Sequence, residues 1–474
     1  MNTTFNKHGL TLAMMAALSA PALADTPTPA TETQQQPNVL FIFVDDIGYA
    51  DMGFQNQSQD IVTPHMDKIA AEGAIFSAGY VTASVCGPSR AGLLTGRYQQ
   101  RYGYHDNTAP FIKEPGIVQG LDLNAKTIGN YFSDAGYVTG FIGKSHDGDA
   151  KEYWPHNRGW DEFYGFNNGA ADYFVSGFNT MNAEERTFSS IHRNDELVED
   201  FDGYLTDIFG DEAVNFIERH KDKPFFLYVP FNASHGPMQA KKEDLEKFSY
   251  IDDELRRKMI AMTYNMDLNI GKMVDKLEEH DLMENTMIIF MSDNGGRPDD
   301  NGSVNTPLNG RKGTYWEGGI RVPTTITWRG TIPAKQVIDT PMISLDILPT
   351  TLAMAGIEQQ EEWQLEGENL LPLLKGEVTD IDERFLYWKT INASAIRDND
   401  WKLFIPNTLV KRPKPQLYKI SEDISESNDI AHKHPEQVAR LLAELERWDA
   451  DNQEPKWGWN RQLFPHANGW RGRN

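Results

Sequence analysis

The chain runs to 474 residues with 69 acidic against 45 basic side chains, a formal charge of −24, and a single cysteine. That balance excludes a nucleic-acid binder, which needs a basic face, and sets a long-range repulsion against any polyanion. One cysteine excludes a disulfide framework, so the core must hold the fold, and the length suits one large domain with a smaller companion.

Residues 1–24 begin with Lys7 and His8, continue through an apolar stretch from Leu10 to Leu23 and end in Ala22-Leu23-Ala24. This pattern predicts a cleaved signal peptide, too short for a membrane span, and an exported protein, periplasmic or secreted. Residues 25–37, rich in Thr, Pro and Gln, read as a linker, and no later apolar run is long enough to cross a bilayer. Asn38 to Val44 is a continuous apolar run, the pattern of a strand buried on both faces, and it ends abruptly in Asp45-Asp46. Thr63 and Pro64 open a short predicted helix with Met66, Ile69 and Ala70, closed by Gly73.

Next comes Cys86-Gly87-Pro88-Ser89-Arg90, followed by Leu93-Leu94-Thr95-Gly96-Arg97. Pro88 suits a first helical turn and Gly96 a stop, so Cys86 is placed at a helix N-terminus, where free N–H groups favour an anion. A free cysteine is also commonly a small buried hydrophobe, and the local sequence leaves both readings open. Further buried strands are predicted at Val138 to Ile142, Phe225 to Phe231 and Met287 to Met291. A helix carrying Met266, Ile270, Met273, Val274 and Leu277 lies between the last two. Past residue 376 the short runs Phe385 to Trp388, Trp401 to Ile405 and Gln416 to Ile420 read as antiparallel strands. A final helix carries Val438, Leu441, Leu442, Leu445 and Trp448. The whole reads as an α/β fold: a large mixed, mostly parallel sheet sandwiched by helices over 38–376, and a smaller C-terminal α+β subdomain with a short antiparallel sheet over 377–474.

The polar clusters follow the predicted strands, where α/β folds place their ligands. Asp45, Asp46, Asp293 and Asn294 supply three carboxylates and an amide, a hard-oxygen set suited to Ca²⁺ or Mg²⁺ and poorly matched to zinc. Lys144 and His146 follow one strand and His235 another, while Lys312 lies in the Gly-rich run Gly310-Arg311-Lys312-Gly313-Thr314. With Arg90 they would make a compact cationic pocket for a small tetrahedral anion.

On these motifs the chain resembles the type I, formylglycine-dependent sulfatases of the alkaline phosphatase-like superfamily. Cys86-Gly87-Pro88-Ser89-Arg90 matches their Cys-x-Pro-x-Arg signature, and the resemblance runs from Asn38 to about Gly376 and more loosely beyond. Ser145-His146-Asp147 departs from the family's usual Trp-His-Leu. The resemblance implies that a formylglycine-generating enzyme oxidises Cys86 to Cα-formylglycine. It also implies one Ca²⁺ ion held by Asp45, Asp46, Asp293, Asn294 and the modified Cys86. Hydrated, Cys86 would attack sulfur, cleave S–O and leave a covalent sulfo-enzyme. Arg90 and Lys144 would orient the nucleophile, Lys312 would grip the sulfate, His235 would protonate the leaving oxygen and His146 would act as base. Lys144 and His235 would also meet the sulfate.

Sulfated polysaccharides or oligosaccharides are the implied substrates, with carrageenan-like galactans first. His105, His192, Arg193 and Arg397 are candidate sugar contacts. The rival readings are a phosphonate monoester or phosphodiester hydrolase of the same superfamily and a non-catalytic glycan-binding pseudosulfatase.

Overall fold

Asn38–Val44, buried at every position, lies inside a ten-stranded sheet. The computed structural model describes residues 36–108, 118–148, 150–176, 190–198, 201–406 and 414–458, so the predicted signal peptide and nearly all of the linker lie outside the described residues. Five neighbouring strands are parallel: Thr286–Ser292, Asn38–Val44, Phe225–Pro230, Val138–Lys144 and Glu162–Phe166. Their carboxyl ends therefore share one edge, which gathers Asp45, Asp293 and the residues after Lys144 and Pro230. On one flank Thr324–Thr327 and Ala74–Phe76 add in antiparallel fashion and Gln336–Ile338 pairs parallel to the latter. On the other, Ile191–Arg193 and Glu196–Val198 continue the sheet antiparallel.

Alternation along the first strand divides the core. Leu40, Ile42 and Val44 pack with the helices Leu205–His220 and Glu254–Glu279. Val39, Phe41 and Phe43 pack with Leu93 and Leu94 of the helix Cys86–Thr95, with Ile128 and Phe132 of Ile128–Asp134, and with Ile347 and Leu348 of Ile347–Met354. With both faces covered, each large apolar side chain here contributes about 1.5–3 kcal/mol of transfer free energy. At the edge leading into the site, Gly143 and Gly165 face each other in register. A Cβ at Gly165 would lie 1.8 Å from the Gly143 carbonyl oxygen, so the close approach that presents Lys144 requires glycine.

Boundaries shift from the expectations only slightly. Val138 extends to Lys144, and Phe225 stops at Pro230. Thr63 precedes the helix Pro64–Ala71, but its hydroxyl donates to Asp67 and does not cap the helix backbone. The C-terminal sheet has one strand more than the sequence indicates: Phe385–Lys389, Ser394–Asp398, Trp401–Ile405 and Gln416–Lys419 form an antiparallel meander. Leu441, Leu445 and Trp448 of Pro435–Asp449 cover it, in a core shared with Tyr80, Tyr315, Ile320 and Ile343. Among the described residues no helix is long and apolar enough to cross a membrane.

Candidate active site

The strand Asn38–Val44 delivers Asp45 and Asp46 into the interior, 0% and 3% exposed. Asp46 adopts φ 59°, a left-handed turn that Asp tolerates better than most residues. The helix Cys86–Thr95 brings in Cys86 at its first residue, and Gly96 with φ 63° ends it, as the sequence predicts. Two contacts hold this N-terminus. Asn107 Oδ1 accepts from the Gly87 N–H at 2.8 Å, and the Ser84 carbonyl accepts from the Gly313 N–H at 2.7 Å. The second contact sets the Lys312 loop directly against Cys86.

The charged groups interlock. Lys312 Nζ lies 3.0 Å from Cys86 Sγ and 2.6 Å from Asp46 Oδ1. Cys86 Sγ is 3.5 Å from Asp45 Oδ1, and Lys144 Nζ donates to Asp45 Oδ2. Arg90 donates from Nε and Nη2 to Asp293 at 3.1 and 2.9 Å, donates to the Lys144 carbonyl at 2.8 Å and lies over the Phe43 ring. Asn294 Nδ2 donates to Asp46 Oδ1 at 2.7 Å, and His235 Nε2 stands 3.8 Å from Asp46 Oδ2. His146, held at φ 68°, keeps a buried Nδ1 without a hydrogen-bond partner, while Tyr104 donates to its carbonyl.

Access separates these groups into two layers. Arg90 and Lys144 are fully buried, whereas the side chains of Lys312 and His235 are 8% and 24% exposed. The outer pair is placed to meet a ligand, and the inner pair to neutralise the carboxylates beneath it. Burial, with Asp293 and Asp45 nearby, pushes the Cys86 thiol up to about 12, so it stays protonated at neutral pH. Burial and then the positive charges of Lys144, Arg90 and Lys312 hold His146 well down, leaving a neutral imidazole able to accept a proton. Burial, Lys312 and Lys144 push His235 down, against the pull of Asp46.

The carboxylate set fits a hard divalent cation. Asn294 Oδ1 is buried with no hydrogen-bond partner, and one ligand atom each from Asp45, Asp46, Cys86 and His235 lie within 4.8 Å of one another. Burial and the Asp45 and Asp46 charges push Asp293 up to about 6, a repulsion that a bound cation relieves.

The four predicted sugar contacts are not brought to this cluster. His105 is buried, with Nε2 3.0 Å from the Gln453 carbonyl, and burial holds it down to about 4. His192 is buried against Trp154, ring centroids 4.3 Å apart, on a strand at the far flank of the sheet. Arg193 beside it bonds Glu212 and lies over the Tyr164 ring. Arg397 belongs to the C-terminal sheet, bonded to Tyr80 and to the Asn399 carbonyl. Polar residues on turns and edges read as surface groups in sequence; here His105, His192 and Arg397 are buried, the last two against Trp154 and Tyr80. Trp457 packs edge-on against Tyr104 and donates to the Asp106 carbonyl.

Sequence reasoning missed two supports. Asn301 Nδ2 donates to the Asp46 carbonyl at 3.0 Å and so fixes the turn that carries both aspartates. Glu317, two residues past the Lys312 loop's Tyr315, is fully buried between Lys402, Arg321, Arg397 and Tyr80. A Glu beside Gly318-Gly319 carries no sequence signal of burial; its partners come from distant parts of the chain.

Carboxylates on the edge of a parallel sheet, a cationic rim and a helix-borne Cys86 are the arrangement of a hydrolase for small tetrahedral anionic esters. Residues 37–357 match the sulfatase family, and residues 311–451 match the C-terminal region of N-sulphoglucosamine sulphohydrolase. The chain belongs to the sulfatase family, and the protein is a sulfatase. It is 32% identical over 387 residues to human (Homo sapiens) N-acetylgalactosamine-6-sulfatase, covering 77% of this chain and 71% of that one. It is 30% identical over 479 residues to mouse (Mus musculus) arylsulfatase J, covering 90% and 78%. Among solved structures, Ps i-CgsB in complex with k-i-k-neocarrahexaose matches with a TM-score of 0.83 and 35% identity, over 91% of this chain and 98% of that one.

Proposed function

We propose that the protein removes sulfate from a sulfated polysaccharide or oligosaccharide, a carrageenan-type galactan first, by S–O cleavage at a Cys86 converted to formylglycine. The observation that carries the chemistry is the position of buried Cys86 Sγ, which Lys312 and Asp45 approach from two sides. The likeness to Ps i-CgsB, solved with a carrageenan oligosaccharide, supports the choice of sugar.

Asp45, Asp46, Asp293 and Asn294 would hold one Ca²⁺, which would supply Lewis-acid polarisation of a sulfate ester, and residue 86 as the hydrated aldehyde would supply the nucleophile. Lys312 at the mouth binds a sulfate oxygen, moving off Asp46 to do so. Lys144 and Arg90 hold Asp45 and Asp293 in place from below and set the field around Cys86. His235, the other partly exposed group, is placed toward the leaving sugar oxygen; burial, Lys312 and Lys144 keep it neutral in the free enzyme, and it donates a proton once the bound sulfate anion offsets those positive charges. His146, with an open Nδ1, takes the proton from the remaining hydroxyl of residue 86 as sulfate departs. Export as a periplasmic or secreted protein, and maturation by a formylglycine-generating enzyme, complete the proposal.

Cys86→Ala is expected to keep the fold and lose turnover of any sulfate ester, with mass analysis of the Cys86 peptide in the parent protein showing the aldehyde. Full sulfatase activity in that variant would sink the assignment. Assay of defined sulfated oligosaccharides, with identification of the desulfated carbon, tests the sugar; comparison of an aryl sulfate with its phosphate isostere tests the phosphonate and phosphodiester alternative.

A further inference from the structure

The helix Cys86–Thr95 has a second functional-looking end. Beyond Thr95, roughly 15 Å of helix away from Cys86, lies a cavity of about 600 Å³, within the range of small-ligand sites. Its walls include Arg97, Tyr102, Lys126, Tyr131, Trp363 and Gln453. Three aromatic residues line this one space, the kind of side chain that meets the apolar side of a sugar ring, and two of them are paired, Tyr131 and Trp363 lying 4.6 Å apart.

The cations on these walls differ in how far they are committed. Arg101, also on the wall, is fully engaged, donating to Glu366 at 2.7 Å, to the Trp448 carbonyl and to Asn452. Arg97 is less so: its Nε is buried without a hydrogen-bond partner, 4.0 Å from Glu366, and its guanidinium lies over the Tyr102 ring and bonds that side chain. Lys126 Nζ lies 5.4 Å over Tyr131 and pairs only with Asp134 in an exposed contact, which costs little to exchange for another anion. Of the acidic groups, Asp122 is paired with Lys456, and Glu362 is the remaining negative side chain on the wall. Gln453 links the cavity to His105, whose ring bonds the Gln453 carbonyl.

We infer that this cavity is a second glycan site, which takes a sulfated sugar unit on the aromatic faces with its sulfate between Arg97 and Lys126. The inference rests on the reading that the enzyme meets sulfated glycans, and it concerns binding remote from Cys86. It gives a strongly acidic protein a local hold on a polyanion that its overall charge repels.

The test is calorimetric titration with a sulfated carrageenan-type hexasaccharide on the full chain. The expected result is a binding event that Asn124→Trp combined with Lys126→Gln abolishes, that Lys312→Ala leaves unchanged, and that chemical desulfation of the sugar weakens by about tenfold or more. Asn124 and Lys126 are exposed, so the pair should fold, and a folded Trp363→Ala variant gives an independent second reading. The Asn124/Lys126 pair should also leave turnover of a small aryl sulfate within about twofold of the parent while raising KM for the polymer. Absence of any event with that pattern, or equal binding of the desulfated sugar, overturns the inference. Failure of the parent to cleave any sulfate ester would instead sink the proposed function and leave this binding pattern to stand or fall on its own.

Discussion

Among the described residues, Lys312 is the one cation in contact with both Cys86 and an aspartate, Asp46, and it does so from a flexible four-carbon stem at the mouth of the site. Lys312→Met should lower kcat/KM for an aryl sulfate by about 10²–10³-fold, the usual cost of one charge-stabilising donor, with the fold kept. Steady-state kinetics beside circular dichroism checks both halves. Chelation is expected to act on the same residues: EDTA should abolish turnover and lower Tm, and Ca²⁺ should restore both. At a free ion concentration 100 times Kd the stabilisation is about 2.7 kcal/mol. Unchanged activity and Tm after exhaustive chelation would remove the cation from Asp45, Asp46, Asp293 and Asn294. The residues of this cluster were legible because each follows a strand end or a glycine-rich turn. The proposed sugar contacts His192 and Arg397 were not, since what buries them is Trp154 in one case and Tyr80 in the other, neighbours that no local pattern reveals.

Among the elements, the loop bearing Lys312 depends on the C-terminal sheet. Lys402 on Trp401–Ile405 donates to Glu317 at 2.8 Å and pairs with Glu426 at 2.8 Å, and Glu426 accepts from the Glu317 N–H. Removing the shared cation by Lys402→Met leaves two buried carboxylates facing each other and should destabilise the protein by about 3–5 kcal/mol in a denaturant titration. The same trio makes stability pH-dependent. Burial, reinforced by the Glu317 charge and opposed by Lys402, lifts Glu426 from 4.5 to about 7, so the folded state retains a proton that the unfolded chain releases. Its contribution is fully present below about pH 4.5 and is lost as pH rises through 7. Glu426→Gln should flatten that slope; an unchanged slope between pH 4.5 and 7 would remove Glu426 as its source. The long apolar strands were readable from sequence, as were three strands of the small sheet. The three-residue flanks Ala74–Phe76, Ile191–Arg193 and Glu196–Val198 were not, because so short a run shows no period of its own.

On the scale of the whole molecule, a charge of −24 opposes a sulfated polymer at long range while the site attracts sulfate at short range. Salt should separate the two. Raising ionic strength to about 0.15 M, where the Debye length is about 8 Å, should lower KM for a polymer more than for a small aryl sulfate. A KM for the polymer that rises over that interval would show that local basic groups dominate its approach.

The dependence of the Lys312 loop on Lys402 and Glu426 also has a meaning in time. The chain is made from its N-terminus, so Cys86 emerges long before the residues that clamp Glu317 and seat Lys312 against it. In the finished fold Cys86 is 1% exposed and beyond the reach of another protein. If Cys86 is matured as proposed, synthesis opens an interval, before the last strands arrive, in which a modifying enzyme would engage it. Under that proposal a slower-folding C-terminal sheet would lengthen the interval, so the part of the molecule farthest in sequence from Cys86 would govern how completely it is converted.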